Sequence, residues 1–202
     1  MTEYALLTAA RNEKDFIEKT LQSVVSQTIL PARWIIVSDG STDGTDDLVE
    51  RYAAEHSFIE LVRAGQDVER NFGSKAKAVM AGYEQLRNRP VDFVGNLDAD
   101  VSFEPTYFAG VLSEFAKNEK LGLAGGIRYD FCGGKFVPIK CARNSVGGPF
   151  QLFRWECFKA IGGYRSLQYG GIDAVAEIMT RMHGWEVESF PNYVVHHHRC
   201  TG

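Results

Sequence analysis

Two aspartates two residues apart, Asp98 and Asp100, follow the apolar run Val94-Gly95-Asn96-Leu97. Burying a carboxylate is costly unless it is paired or bound to a metal. Hard divalent cations take oxygen ligands, and magnesium sites often combine one or two carboxylates with substrate phosphates. The pair therefore either holds a divalent cation or caps a turn into the helix after Glu104-Pro105. A second polar stretch, Ser38-Asp39-Gly40-Ser41-Thr42-Asp43-Gly44-Thr45, is dense in turn formers, and Gly40 and Gly44 permit positive φ. It reads either as a strand-to-helix turn capped by Asp43 or as a site where Asp39 accepts hydrogen bonds from a base or ribose. Arg11 and Lys75 can face phosphates, or simply be solvated. Three consecutive histidines, His196, His197 and His198, offer metal ligands or form a strand edge. His56 and His183 read as surface histidines.

The elements that must position these residues alternate along the chain. Residues 4–8, 34–37, 58–62 and 91–97 are short apolar runs, read as strands. Residues 12–26 have helical spacing, with Phe16, Ile17, Leu21, Val24 and Val25 on one face, and Pro31 stops the element. Thr42 or Asp43 can cap a helix carrying Leu48, Val49 and Tyr52. Residues 74–87 read as a helix with Ala76, Val79, Met80 and Tyr83 inward, closed by Pro90. This alternation predicts a parallel sheet with helices on both faces. Ligands of such sheets bind beyond the carboxyl ends of the strands. The loops at 9–13, 38–44 and 98–102 should then share one edge.

After Gly110 the rhythm changes. A helix with Val111, Leu112 and Phe115 leads to the run at 121–126, and residues 130–149 read as a strand-and-loop region over the sheet. Residues 150–161 mix strand and helix signals, and 173–183 form a helix ending at Gly184. Residues 185–190 and 193–197 read as two short strands around Pro191. The chain stops right after Arg199 without a closing element, as a fragment of a longer protein would.

The 202 residues suffice for a real core, with 45% hydrophobic and 24% charged residues. A net charge of -4 without a basic run argues against nucleic acid as a partner. Cys132, Cys141, Cys157 and Cys200 match no zinc spacing and read as reduced thiols of a cytosolic protein. The N-terminus lacks a signal peptide's pattern, and no stretch approaches a membrane span. Peripheral association with the inner face of a membrane stays compatible with this.

Taken together, these residues resemble family 2 glycosyltransferases. The match begins at Ala9-Ala10-Arg11-Asn12-Glu13 and continues through Leu21-Gln22-Ser23-Val24-Val25-Ser26-Gln27, similar to the family's "LxSxxxQ" helix. Residues 37–45 are similar to its "VDDGSTDGT" loop, residues 71–82 to its "NxGKxxAxxxG" stretch, and Asp98-Ala99-Asp100 to its DxD. Each motif is weak alone; five in order are specific. Ser38 stands where the family has the first acid of a pair, and Asn71-Phe72-Gly73-Ser74-Lys75 carries one extra residue, with Lys75 matching the family lysine. Gly171-Ile172-Asp173 keeps the family's aspartate and lacks its glutamate.

The resemblance implies a GT-A fold, an α/β architecture with a Rossmann-like, mostly parallel central sheet flanked by helices and a smaller mixed acceptor-side region. One domain, 1–202, would divide into a nucleotide-sugar-binding half (1–102) and an acceptor-binding half (103–202). It implies a nucleoside-diphosphate sugar as donor, a saccharide or lipid-linked acceptor, and a divalent metal, Mn2+ or Mg2+, in polysaccharide or glycoconjugate synthesis. Asp173 matches the catalytic base. Ala9, Arg11, Glu13, Asp39, Lys75 and Asp98 match nucleotide-binding positions. Asp100 matches a metal ligand, as does His197, six residues after Pro191. Gly148, Arg154 and Trp155 fall in the segment that lines the acceptor side, although Trp155 also reads as a packing residue. Two other classes compete. One is a sugar-nucleotide-binding module without turnover. The other is a nucleotidyltransferase, which would carry a Gly-rich loop after the first strand, where Thr8-Ala9-Ala10-Arg11-Asn12 has no glycine.

Overall fold

The computed structural model describes residues 2–64, 72–87, 89, 91–167 and 170–201. Asn71 and Pro90 lie outside the described residues. Four parallel strands, β1 (Tyr4–Ala10), β2 (Arg33–Ser38), β3 (Ile59–Arg63) and β4 (Phe93–Leu97), stand in the order β3-β2-β1-β4. β1, β2 and β4 are almost wholly buried, which is why they read as continuous apolar runs rather than alternating ones. Helix α1 (Lys14–Val25) buries Ile17, Leu21 and Val24 and lies beside α2 (Thr45–Glu55). Helix α3 (Phe72–Leu86) packs on β1 and β2, where Gly82 lets it approach Leu7 and Val37.

The sheet then continues with mixed polarity. β8 (Phe150–Arg154) pairs antiparallel with β4, and β6 (Leu121–Cys132) pairs antiparallel with β8. β9 (Glu186–His197) runs parallel to β6, and β5 (Val101–Phe103) closes the edge antiparallel to β9. β7 (Lys135–Pro138) forms a hairpin on β6. Helices α4 (Tyr107–Lys117), α5 (Trp155–Ile161) and α6 (Ile172–Met182) complete the fold.

The sheet is parallel through β4 and mixed beyond it, as expected, because β8 returns antiparallel. Several other expectations are corrected here. Residues 101–103 form a strand rather than part of a loop. The run at 121–126 extends as one strand to Cys132. The two strands expected around Pro191 are one element interrupted by an irregularity. Opposite Gly125 and Ile127 of β6 stand Ser189 and Val194 of β9, so the segment holding Pro191 bulges out of register. Cys132 and Cys200 are disulfide-bonded, with Cα atoms 5.0 Å apart, so the four cysteines are not all free thiols. Side-by-side strands β6 and β9 bring the two residues together across 68 positions of sequence. Cys141 and Cys157 are free.

The bulge leaves no space at Gly126. A Cβ there would lie 1.9 Å from the Tyr193 carbonyl oxygen. Gly126→Ala is expected to cost about 3 kcal/mol by forcing β6 and β9 apart, measured as a lower midpoint of thermal unfolding.

Candidate active site

The carboxyl ends of β1 and β2 are joined by loop-to-loop hydrogen bonds. The Asn12 amide donates to Ser41 Oγ (3.2 Å), the Glu13 amide to Thr45 Oγ1 (2.8 Å) and the Lys14 amide to Asp43 Oδ2 (3.0 Å). Asn12 Oδ1 accepts from the Thr42 amide at 2.8 Å, and Asn12 adopts φ 54°, a left-handed conformation that asparagine tolerates. Asp43 Oδ1 accepts from the Thr45 amide and hydroxyl, which satisfies the start of α2 just beyond Gly44. Ser38, standing where a second acid was expected, is buried, and its hydroxyl meets Ser41 Oγ at 3.3 Å. This leaves Asp39 as the loop's acid toward the cavity, with Arg11 Nη1 at 3.3 Å.

A cavity of about 890 Å³ opens beyond these strand ends. Its lining includes Ala9, Arg11, Glu13 and Asp39 from the first two strand ends, Lys75 from α3, Asp98 after β4, Gly148, Asp173 from α6 and His197 from β9. Lys75 Nζ donates to Asp98 Oδ1 at 2.6 Å. Burial opposes the Lys75 charge, but Asp98, Asp173 and Asp100 outweigh it and raise its pKa. Asp98 is anchored by its own amide, which donates to the Pro149 carbonyl at 2.9 Å.

Asp100 is buried behind this surface. Its Oδ2 lies 3.3 Å from His197 Nε2 and accepts from Arg199 Nη1 at 3.0 Å. Burial raises the Asp100 pKa, but His197, Arg199 and Lys75 outweigh it and hold the carboxyl below its ordinary range. His197 is the mirror case: burial works against its charge, and Asp100 and Asp130 raise its pKa overall. Arg199 also grips Glu13 with two bonds, at 3.0 and 2.6 Å, and its guanidinium lies 4.5 Å over the Phe16 ring. Burial, aided by Asp100 and Asp98, keeps the Glu13 carboxyl above its usual range despite Arg199. Strand alternation sends only the middle histidine of the three to the cavity. His196 packs on Phe136 at 4.5 Å, while His198 meets Ser102 Oγ at 2.9 Å and is pushed down to about 4 by burial and Lys19.

Among the described residues, no group of three or more His, Cys, Asp or Glu side chains converges as a ready metal cage. The donor chemistry still fits a divalent ion. Asp100 Oδ2 and His197 Nε2 are one oxygen and one nitrogen ligand at close range, with further positions left for water and phosphate oxygens. The cavity wall carries four carboxylates (Glu13, Asp39, Asp98, Asp173) and three cations (Arg11, Lys75, Arg128), with Asp100, Asp130 and Arg199 paired to wall residues from behind.

Asp173 sits in the first turn of α6, where the helix dipole favours a carboxylate. Gly148 packs directly against it: a Cβ at Gly148 would lie 2.5 Å from Asp173 Oδ2. Arg154 and Trp155, expected on the acceptor side, lie elsewhere. β8 runs antiparallel to β4, so Phe150 pairs with Leu97 at the cavity end and Arg154 pairs with Phe93 at the far end. There Arg154 donates to the carbonyls of Leu121, Phe115 and Asn118, closing the end of α4. Trp155 is buried against Tyr83, with ring centroids 5.2 Å apart.

Sequence reasoning missed four residues of this region. Asn96 is buried and donates to the Gly148 carbonyl at 2.9 Å. Tyr164 lines the cavity and donates to Gln151 Oε1 at 2.6 Å. Arg128 and Asp130 lie in β6 beyond the run at 121–126, Arg128 in a stretch given no element and Asp130 at the start of the expected strand-and-loop region. The alternation Ile127-Arg128-Tyr129-Asp130, two polar residues on one face, was the signal that could have found them.

Asp43 carries much of the loop stitching. Burial would raise its pKa, but the hydrogen bonds from Thr45 and Lys14 hold it below the ordinary range. A carboxyl depressed in the folded state contributes stability above its unfolded pKa of about 4 and loses it as pH falls through the lower folded value. Asp43→Ala is therefore expected to destabilise the domain by about 1 kcal/mol at pH 7. The gap from wild type should narrow as pH drops below about 4, followed by denaturant unfolding at each pH.

A glycosyl transferase family 2 model matches residues 6–168. Among curated relatives, a poly-beta-1,6-N-acetyl-D-glucosamine synthase from Staphylococcus epidermidis is 28% identical over 177 residues, covering 78% of this chain and 41% of the relative. One from Staphylococcus aureus (strain MSSA476) is 32% identical over 175 residues, covering 77% and 40%. The chain thus spans about two fifths of the length of these relatives. Among solved structures, a Pyrobaculum calidifontis mannosyltransferase in complex with GDP-Man and Mn2+ aligns with a TM-score of 0.75 at 19% identity, covering 96% of this chain and 56% of that one. S. aureus TarS 1–349 in complex with UDP-GlcNAc aligns with a TM-score of 0.72 at 16% identity, covering 100% and 60%. These structural likenesses carry the fold, GT-A, and the match over residues 6–168 carries the family. The chain belongs to glycosyl transferase family 2.

Proposed function

We propose that this domain transfers a sugar from a nucleoside-diphosphate sugar to a saccharide or lipid-linked acceptor hydroxyl, with inversion, in the synthesis of a polysaccharide or glycoconjugate. The observation that carries this reading is the convergence of Asp39, Lys75, Asp98 and Asp173 on one cavity at the carboxyl ends of the strands. Residues 1–102 would hold the nucleotide and 103–202 the acceptor. The base or ribose would donate to Asp39, and Arg11 and Lys75 would meet the phosphates. Gly148, which has backbone but no side chain beside Asp173, would let the sugar approach closely.

In the reaction, the acceptor oxygen attacks the anomeric carbon while its proton passes to the Asp173 carboxylate. The bond between that carbon and the diphosphate oxygen breaks, and the diphosphate leaves with the electron pair. A divalent cation, Mn2+ or Mg2+, when held by Asp100 and His197, would neutralise charge on the leaving diphosphate. Lys75 would hold Asp98 in place and add its own charge. The proposed location is the cytoplasm, free or associated with the inner face of the membrane, a compartment in which a disulfide such as Cys132–Cys200 is uncommon. No described helix is long and apolar enough to cross a membrane.

The test begins with a thermal-shift panel of nucleoside diphosphates and their sugars, with and without Mn2+. UDP-GlcNAc leads the panel because the relatives named above make an N-acetylglucosamine polymer and TarS was solved with that donor. A donor that binds the folded state raises the melting temperature. Asp173→Asn is expected to retain that shift and to lose transfer by about 100-fold to 10,000-fold. Full transfer by the variant would remove Asp173 from this role.

A further inference from the structure

Asp130 is 1% exposed, and its carboxylate is shared by three partners. Oδ1 faces His197 Nδ1 at 3.1 Å and Arg128 Nε at 3.0 Å; Oδ2 accepts from the Thr201 hydroxyl at 2.5 Å and the Thr201 amide at 3.3 Å. Arg128 and His197 thus touch the same oxygen atom. His197 turns its other nitrogen to Asp100, the second acid of the pair. The guanidinium of Arg128 is therefore held next to His197, one of the two candidate metal ligands, and it lines the same cavity.

The Arg128 fork is oriented but not consumed. Nε meets Asp130, and Nη2 donates to Thr201 Oγ1 at 3.1 Å. A guanidinium has five N–H donors in a planar array. Among the described residues, Nη1 makes no hydrogen bond that would occupy it. Arg11 is tied to Asp39, Lys75 to Asp98 and Arg199 to Glu13 and Asp100. Arg128 has one carboxylate partner, and it shares that carboxylate with His197.

We propose that Arg128 binds the terminal phosphate of the donor's diphosphate, and that Asp130 is the positioning residue that aims both Arg128 and His197 at it. This rests on the donor reading above. An acid-rich cavity repels a diphosphate, so each cation that meets the phosphates contributes directly to holding it. A planar fork is suited to grip two oxygens of one phosphate. The same contact strengthens as the diphosphate gains charge on leaving, so Arg128 assists departure as well as binding.

The test compares dissociation constants for UDP and UMP by titration calorimetry in saturating Mn2+, for wild type, Arg128→Met and Arg128→Lys (GDP and GMP replace them if the wild type prefers guanine). Arg128→Met is expected to weaken UDP about tenfold or more, leaving UMP within about twofold. Arg128→Lys, which keeps the charge but loses the fork, should recover part of the loss. An unchanged UDP affinity overturns the proposal, and so does an equal loss for UDP and UMP, since a merely structural ion pair would affect both alike. Circular dichroism of each variant establishes that it is folded. Wild-type protein that binds neither nucleotide overturns the donor reading and this proposal with it, which separates that failure from the failure of Arg128 alone.

Discussion

Carboxylates gathered at one edge of a sheet repel one another and resist burial, and the architecture around the cavity answers that constraint. Asp98 is held by Lys75 and by its own amide, Asp100 by His197 and Arg199, Asp130 by Arg128 and Thr201, and Glu13 by Arg199. The partners come from three places: Lys75 from α3, Arg128 from β6, and His197, Arg199 and Thr201 from the end of β9 and the segment that follows it. Removing one partner leaves its acid to be stabilised by the others, so these contacts act as one unit rather than as independent pairs.

Half of this was legible in the sequence for a simple reason. β1, β2, β3 and β4 form a parallel sheet, and a parallel sheet puts every strand's carboxyl end on one side. Once the strands were read, the loops holding Arg11, Asp39 and Asp98 had to meet. The helix carrying Lys75 was legible from its apolar face, and the gap before Gly184 located Asp173 through the family pattern. Apart from Asp173, none of this required knowing how the chain continues after β4.

The second half resisted because antiparallel pairing and irregular strands carry weaker local signals. β6 contains Gly125 and Gly126, which look like turn residues but serve close packing, Gly125 against Val146 and Phe150 and Gly126 against Tyr193 of β9. Cutting the strand there hid Arg128 and Asp130. Pro191 likewise looked like a break between two strands, whereas the ladder resumes beyond a bulge. The covalent link between Cys132 and Cys200 depends on that ladder and has no local sequence signature of its own.

The turn-back of β8 also divides one short segment between two kinds of constraint. Residues 148–150 stand at the cavity, and Arg154 and Trp155 stand at the opposite pole of the sheet, closing a helix end and filling the core. Neighbours in sequence therefore answer to different demands. A substitution at Gly148 would meet Asp173 at the cavity, whereas one at Arg154 or Trp155 would uncap a helix end or open the core, so two substitutions a few residues apart would fail for unrelated physical reasons.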